Sequence, residues 1–322
     1  TAPKRPPTAS RDVCLLLSEM WDLKGWKKQI TTTLCSVRFA CTERENLGGV
    51  LDKMKRTIIG LLIVGAVAIL PALAHDLFLK PDSFFTKAGG STRLSVMNGT
   101  FKTSEGAVAF SRLTDASIVS PGGKRASIGE SNFAKNETTA FIDIATPDEG
   151  NYVVGLSTNW RENALAAKEF NEYLTLEGIP GVLDERKRDN ELDKDARYRY
   201  SKYVKTILQA GKKSTDDYKV VLGYAVEMIP QQNPYKSKPG QTIDILCLRD
   251  GKPLVGQTVL VGYDSGSKMA SEKSLKSDSS GLIKIKLESP GKWYAKFINM
   301  VKVEDPNINY ESKWATLTFE IR

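Results

Sequence analysis

Histidine is nearly missing from this chain of 322 residues: His75 is the only one. That scarcity excludes a three-His zinc site and a two-His copper brace. It also leaves a Ser-His-Asp hydrolase with no base except this one residue. No G-x-x-x-x-G-K-[ST] phosphate loop and no H-E-x-x-H pair is present. Cysteine is scarce too, and three of the four (Cys14, Cys35, Cys41) fall in the first 74 residues, without C-x-x-C spacing or a nearby His. The remaining Cys247 has no partner for an internal disulfide and shares one strand face with Ile243 and Ile245, which predicts a buried, inert thiol. With 14 prolines, 26% charged and 41% hydrophobic residues, the chain is neither disordered, collagenous nor a multi-span membrane protein.

Positive charge is present but unevenly placed. The net charge is +8 and the isoelectric point about 9.1. Residues 1–74 carry 11 Lys and Arg against 6 Asp and Glu, and the other 248 residues carry 35 against 32. A nucleic-acid-binding reading thereby loses most of its support, and no nucleic-acid partner is expected.

The first 74 residues read as a processing segment. Met54-Lys55-Arg56 gives a short basic start, Ile58 to Leu70 is an uncharged apolar run, and Ala72-Leu73-Ala74 ends it in an A-x-A pattern. Each part matches a cleavable signal peptide over 54–74, with export to the periplasm and His75 as the first mature residue. The run is too short to span a membrane, and His75-Asp76 follows with no basic stop-transfer cluster, so no membrane span is expected after cleavage. Position +1 is not Cys, so a lipoprotein anchor is not indicated. Residues 1–53 read as an extension ahead of the true start at Met54, spurious or disordered; Leu15 to Leu17 with Trp21 and Trp26 could instead form a short amphipathic helix.

The mature part predicts a mainly β protein: two antiparallel, immunoglobulin-like β-sandwich domains, the first with a helical pair inserted. Strands are expected at Arg93 to Met97, Ala107 to Phe110, Ser117 to Ser120, Thr138 to Ile144 and Asn151 to Ser157, punctuated by Gly- and Pro-rich turns. The insertion, about 160–212, is read as one helix from Arg161 to Leu176 and a second from Leu192 to Ala210, whose inward stripe is Tyr200, Tyr203, Val204, Ile207 and Leu208. The mixed charges of Asp184 to Asp189 read as solvated surface. Tyr218 to Met228 is read as a strand returning to the first sandwich, which gives domains 75–230 and 238–322 with the break at Pro230 to Pro234. Strands at Thr242 to Arg249, Gln257 to Tyr263, Leu282 to Leu287, Lys292 to Met300 and Ala315 to Ile321 make the second sandwich, immunoglobulin-like or carboxypeptidase-regulatory-like.

Chemistry concentrates at the expected amino terminus. Cleavage before His75 frees an α-amine beside the imidazole, and these two nitrogens can chelate a nickel, cobalt, copper or zinc ion. The bland alternative is that His75 is merely the residue after the cut.

The segments Ala74-His75-Asp76-Leu77-Phe78-Leu79-Lys80-Pro81, Glu169 to Leu174 with Glu177-Gly178, Tyr200 to Lys205, Glu227 to Pro230, Asn233-Pro234-Tyr235, Asp250 to Leu254 and Glu311 to Phe319, in this order, resemble the bacterial periplasmic family known as domain of unknown function 4198. The resemblance spans nearly all of the mature chain, and some members of that family are described as periplasmic components of nickel uptake. It implies two β-sandwiches and a nickel or cobalt role in which the amino-terminal His is a ligand, which carries over to His75 alone. The chain departs from the family where a second His commonly precedes the final Trp-Ala-Thr-Leu; here Phe297-Ile298-Asn299-Met300 stands. Metal binding would then be weaker, with a carboxylate or Met300 as partner, or lost.

Two functions follow as expectations, neither of them an enzyme. One is a periplasmic transition-metal-binding protein serving a membrane nickel or cobalt uptake system, with His75 as metal ligand. The other is a non-catalytic envelope binding or scaffold module that recognises a glycan, peptide or protein, with Trp160, Trp293 or Trp314 available to line a groove, although core packing is the commoner fate of tryptophan.

Overall fold

The structure is a computed structural model that describes residues 75–267 and 269–322. The expected signal peptide at 54–74, the extension 1–53, its amphipathic stretch and its three cysteines lie outside the described residues. In chain order the elements are β1 (Asp76–Pro81), β2 (Phe85–Thr86), β3 (Gly90–Gly99), β4 (Leu113–Ser120), β5 (Lys124–Ser127), β6 (Phe133–Lys135), β7 (Ala140–Thr146), β8 (Gly150–Thr158) and β9 (Arg161–Leu165). Helices α1 (Ala167–Leu176) and α2 (Pro180–Arg188) follow, and then β10 (Ala196–Ala210), β11 (Val226–Pro230), β12 (Thr242–Arg249), β13 (Lys252–Pro253), β14 (Thr258–Asp264), β15 (Lys273–Lys276), β16 (Leu282–Lys286), β17 (Gly291–Lys302) and β18 (Tyr310–Ile321).

The protein is mainly β, with antiparallel sheets packed as two sandwiches and a helical pair inserted in the first. One ten-stranded sheet, β15-β14-β17-β18-β10-β8-β4-β5 with β2 and β9 also on β10, runs through both sandwiches. Its two halves join where β10 pairs with β18 in parallel, from Tyr198 opposite Tyr310 to Thr206 opposite Thr318. A four-stranded sheet, β1-β3-β7-β6, covers one face, where Leu77, Leu79, Leu94, Val96 and Ile142 meet Tyr152, Val154, Leu156, Val204 and Leu208. The sheet of β11, β12, β13 and β16 covers the opposite face, where Met228, Ile243, Ile245, Cys247 and Ile285 meet Ile207, Val261, Trp293, Phe297, Leu317 and Phe319. Because neighbouring strand residues point to opposite faces, Leu208 serves one core and Ile207 the other.

Within the stretch 192–210, Ala196–Ala210 is a strand, not the helix that the apolar spacing suggested. Residues 204–210 of β10 are buried on both faces, Lys205, Thr206 and Gln209 included, so polarity does not alternate there with the period of a strand and a helical stripe can be picked out. Its Tyr, Val, Thr and Ile content was the better guide. The helical pair is instead α1 and α2, inserted between β9 and β10. Phe170, Tyr173 and Leu174 of α1 are buried as the sequence suggested, but Arg161–Leu165 is strand. Helix α1 stops at Gly178, whose φ of +68° an L side chain rarely adopts; the Ile179 amide donates to the Leu174 carbonyl over 2.8 Å and closes the turn. Proline at its first turn starts α2.

Three further expectations are corrected. Residues 107–110 form no strand. Strand β11 pairs with β12 and so joins the second sandwich, not the first. Arg186, expected on a solvated face, is 1% exposed: it donates to Asn171, Tyr310 and the Lys194 carbonyl and lies over the Phe170 ring. Cys247 is buried as expected, and burial pushes its thiol up to about 12, which makes it unreactive.

Two polar features fix the layers. The Thr316 and Thr318 hydroxyls on β18 donate to the carbonyls of Leu77 and Leu79 over 2.7 and 2.6 Å, bolting β1 across the large sheet. Under the other cover, Lys205 and Glu227, each 2% exposed, form an ion pair at 2.6 Å. Lys205 also donates to the Val220 carbonyl, and Glu227 accepts from the Leu222 and Gly223 amides. Removing one partner strands a buried charge, so Lys205→Met is expected to lower the unfolding free energy by about 3–5 kcal/mol in denaturant titration. Adding Glu227→Gln should recover part of it: no unpaired charge is then buried, while the single amide oxygen accepts from only one of the Leu222 and Gly223 amides, which bond different oxygens of Glu227.

Candidate functional site

Ahead of β1, the bolted strand, His75 sits at the mouth of a cavity of about 280 Å³. The cavity draws on distant parts of the chain: Leu77 of β1, Asn98 of β3, the Ala107–Ala109 loop, Arg112, Thr158 of β8, Arg161 and Asn163 of β9, Tyr198, Tyr200 and Lys202 of β10, and Trp314 of β18. The large sheet supplies the floor, because Tyr198, Tyr200 and Lys202 are alternate residues of one strand and project from the same face. Lys202 is buried there; its ammonium donates to the His75 carbonyl and lies 5.1 Å from the Trp314 ring centre and 5.7 Å from that of Tyr200. Arg112 donates to Asn159, and Asn163 donates to the Tyr198 hydroxyl over 3.0 Å.

The His75 imidazole faces a residue that the sequence reading did not single out. Its Nδ1 lies 3.3 Å from Oε2 of Glu105, the two side chains being 42% and 50% exposed. Glu105 is held by its amide, which donates to the Asn98 carbonyl over 2.9 Å, and by the tight turn that pairs Gly99 with Ser104. Among the described residues no group of three His, Cys, Asp or Glu side chains is placed to hold a metal ion. Near the place of the family's second histidine, neither the suggested partner Met300 nor Asn299 is directed to His75. Asn299 donates to Gln257, and Met300 is buried with the α1 and α2 side chains.

A second layer of charge lies close to the floor. Lys296 bonds Asp76 at 2.6 Å and Glu272 at 3.3 Å, and the Tyr294 hydroxyl donates to Glu272. Burial opposes the charge on Lys296, but the Asp76 and Glu272 carboxylates outweigh it and raise its pKa. Burial also raises Asp76 against the pull of Lys296. The short contact and the raised lysine decide between these opposite tendencies: the pair is ionised at neutral pH. Lys202 is brought down to about 8 by burial, with Arg112 and Arg161 adding to the effect while Asp76 and Glu177 oppose it. Glu177, half-buried just after α1, is pushed up to about 7 by burial and by the charge of Asp76.

The tryptophans divide clearly. Trp293 and Trp314 are core residues, whereas Trp160 is 39% exposed, with Arg199 and Lys313 set 5.1 and 5.8 Å from its ring centre. No helix among the described residues is long and apolar enough to cross a membrane.

These features define a β-sandwich protein with a cationic, aromatic-floored cavity beside its sole histidine. The chain belongs to the family described as Domain of unknown function (DUF4198), whose model matches residues 72–300. No curated protein matches it. Solved structures with partial overlap include the D0-D1 domain of intimin, 15% identical with a TM-score of 0.20, covering 76% of this chain and 97% of that one. A tetra-tandem repeat from the extending region of a large adhesion protein is 10% identical with a TM-score of 0.20, covering 77% and 50%. Escherichia coli alpha-2-macroglobulin in its native conformation is 9% identical with a TM-score of 0.22, covering 79% and 14%. Overlaps as loose as these three carry no argument about function.

The raised pKa of Glu177 sets a pH dependence. From about pH 4.5 to 7 the unfolded chain has released this proton while the folded protein keeps it, so stability falls as pH rises through that window. The contribution is at most about 3 kcal/mol, reduced by the solvent screening of a half-buried group. Glu177→Gln should flatten the decline, read as the difference in unfolding free energy between the two proteins across that range. Parallel curves would place the Glu177 pKa near its ordinary value.

Proposed function

We propose that this is an exported, non-catalytic metal-binding protein of the periplasm, which takes nickel, cobalt or copper at His75 and passes it to a membrane uptake system. What supports the reading is the 3.3 Å spacing of His75 Nδ1 and Glu105 Oε2. Two donors each about 2.1 Å from a shared ion, with an angle of about 100° between them, stand about 3.2 Å apart. A third donor is the α-amine that cleavage before His75 would free, which closes a chelate ring with Nδ1. Glu105 is thus the carboxylate that replaces the missing second histidine.

The test is calorimetry with nickel and copper on protein that begins at His75. His75→Ala, Glu105→Gln and a form with one extra Ala ahead of His75 are each expected to lose most of the affinity. Because amine and imidazole must shed protons, affinity should also fall from about pH 8 to 5. If the extended form binds as well as the parent, the chelate is wrong; if the parent binds neither ion, so is the metal reading.

A second reading, an envelope binding or scaffold module for a glycan, peptide or protein, is favoured by Trp160, the one tryptophan of the described residues with an open ring, flanked by two cations. Isolated cell-wall glycan is its first probe. Binding by the parent and loss in Trp160→Ala would support this reading, and equal binding by both proteins would remove Trp160 from it.

A further inference from the structure

The cavity behind His75 has a charge pattern that chelation at its mouth does not use. Three cationic side chains, Arg112, Arg161 and Lys202, line it, and no Asp or Glu does. Elsewhere on this protein several arginines face carboxylates, Arg93 with Asp143, Arg125 with Asp115 and Arg199 with Glu311, and the buried Arg186 is satisfied by three neutral acceptors. Arg112 has only the neutral Asn159 as side-chain partner, and the Arg161 side chain has no hydrogen bond or ion pair among the described residues. Lys202 is spent on a backbone carbonyl, which leaves its charge unneutralised by direct contact. Like charges gathered in a concave site repel one another, and burial, with the neighbouring Arg161 charge adding to it, lowers the pKa of Arg112. An anion reverses the sign of the interaction, and within a low-dielectric pocket it gains from all three cations at once.

The neutral lining suits such a ligand. The Tyr200 hydroxyl has no hydrogen-bond partner among the described residues and belongs to the same cavity, while Trp314 and Tyr198 give flat apolar floor. A volume of about 280 Å³ lies at the small end of ligand cavities. It fits a compact molecule.

We propose that this cavity binds a small, multiply charged oxyanion, a di- or tricarboxylate or a phosphate compound, with Arg112, Arg161 and Lys202 carrying its charge. Guanidinium forks match carboxylate and phosphate oxygens alike, so the shared chemistry is the planar or tetrahedral oxyanion. The assignment does not rest on a metal at His75, although an anion in the cavity and a cation at its mouth would attract each other.

The experiment is calorimetry on the exported, metal-free protein at low ionic strength, with citrate in one arm and inorganic pyrophosphate in the other. At least one is expected to bind with one site per chain, and the stronger of the two identifies the carboxylate or the phosphate source. Affinity should drop as salt is added. Arg112→Gln and Arg161→Gln should each weaken binding about tenfold, the equivalent of one charge-assisted contact. Arg161→Gln is the cleaner variant, because an exposed side chain without partners can be changed without altering the melting temperature. Lys124→Gln, a surface charge on β5, should bind like the parent. Glu105→Gln should retain anion binding while losing nickel, which separates failure of this assignment from failure of the metal reading. Three results overturn the proposal: no binding of either anion, undiminished binding by Arg161→Gln, or an equal loss in Lys124→Gln.

Discussion

The parallel register of β10 against β18 is the constraint on which the rest of this structure depends. Without it there would be two separate sandwiches, each with an edge strand of unpaired amides and carbonyls open to other chains. With it, one sheet has two covered faces, and the residues that alternate along β10 serve two cores at once. The cavity is a product of the same seam. Its floor takes Tyr198, Tyr200 and Lys202 from one strand and Trp314 from the other, which are neighbours only because of that pairing.

Polar groups at the seam are paired with care. Thr316 and Thr318 spend their hydroxyls on the carbonyls of β1, which sets the height of that strand over the sheet and therefore the place of His75. On the opposite face Lys205 and Glu227 neutralise each other and tie down the Val220 to Gly223 turn. Against this background Arg112, held only by Asn159, and the exposed Arg161 side chain, with no hydrogen bond or ion pair among the described residues, stand out.

Much of the fold was legible in the sequence, because strands with one polar face announce themselves by alternation. In β12 Ile243 and Ile245 alternate with Thr242 and Asp244, and Cys247 could be placed in the core from its register with the two isoleucines. The failures have a common physical cause. β10 is buried on both faces over much of its length, so the period that separates strand from helix is erased there. Arg186 was read from the charge of its neighbours, whereas its fate was set by Asn171, Tyr310 and the Lys194 carbonyl, none of which adjoins it in sequence. The site was legible only at His75, which its solitude made conspicuous. Glu105 is one of many carboxylates, and the cationic cavity assembles residues from seven parts of the chain, a grouping no local pattern encodes.

The place of β18 has a consequence for how the molecule comes into being. Strand β18 is not at an edge but near the middle of the largest sheet, between β17 and β10. Its partner in β10 lies more than a hundred residues upstream, so the entropy of closing that loop must be met before the pairing gains anything. Neither cover can settle on a finished sheet until β18 is in place. A chain released stepwise, whether from a ribosome or through a pore, therefore stays open until β18 has emerged, and loss of that strand would leave both cores without their common wall.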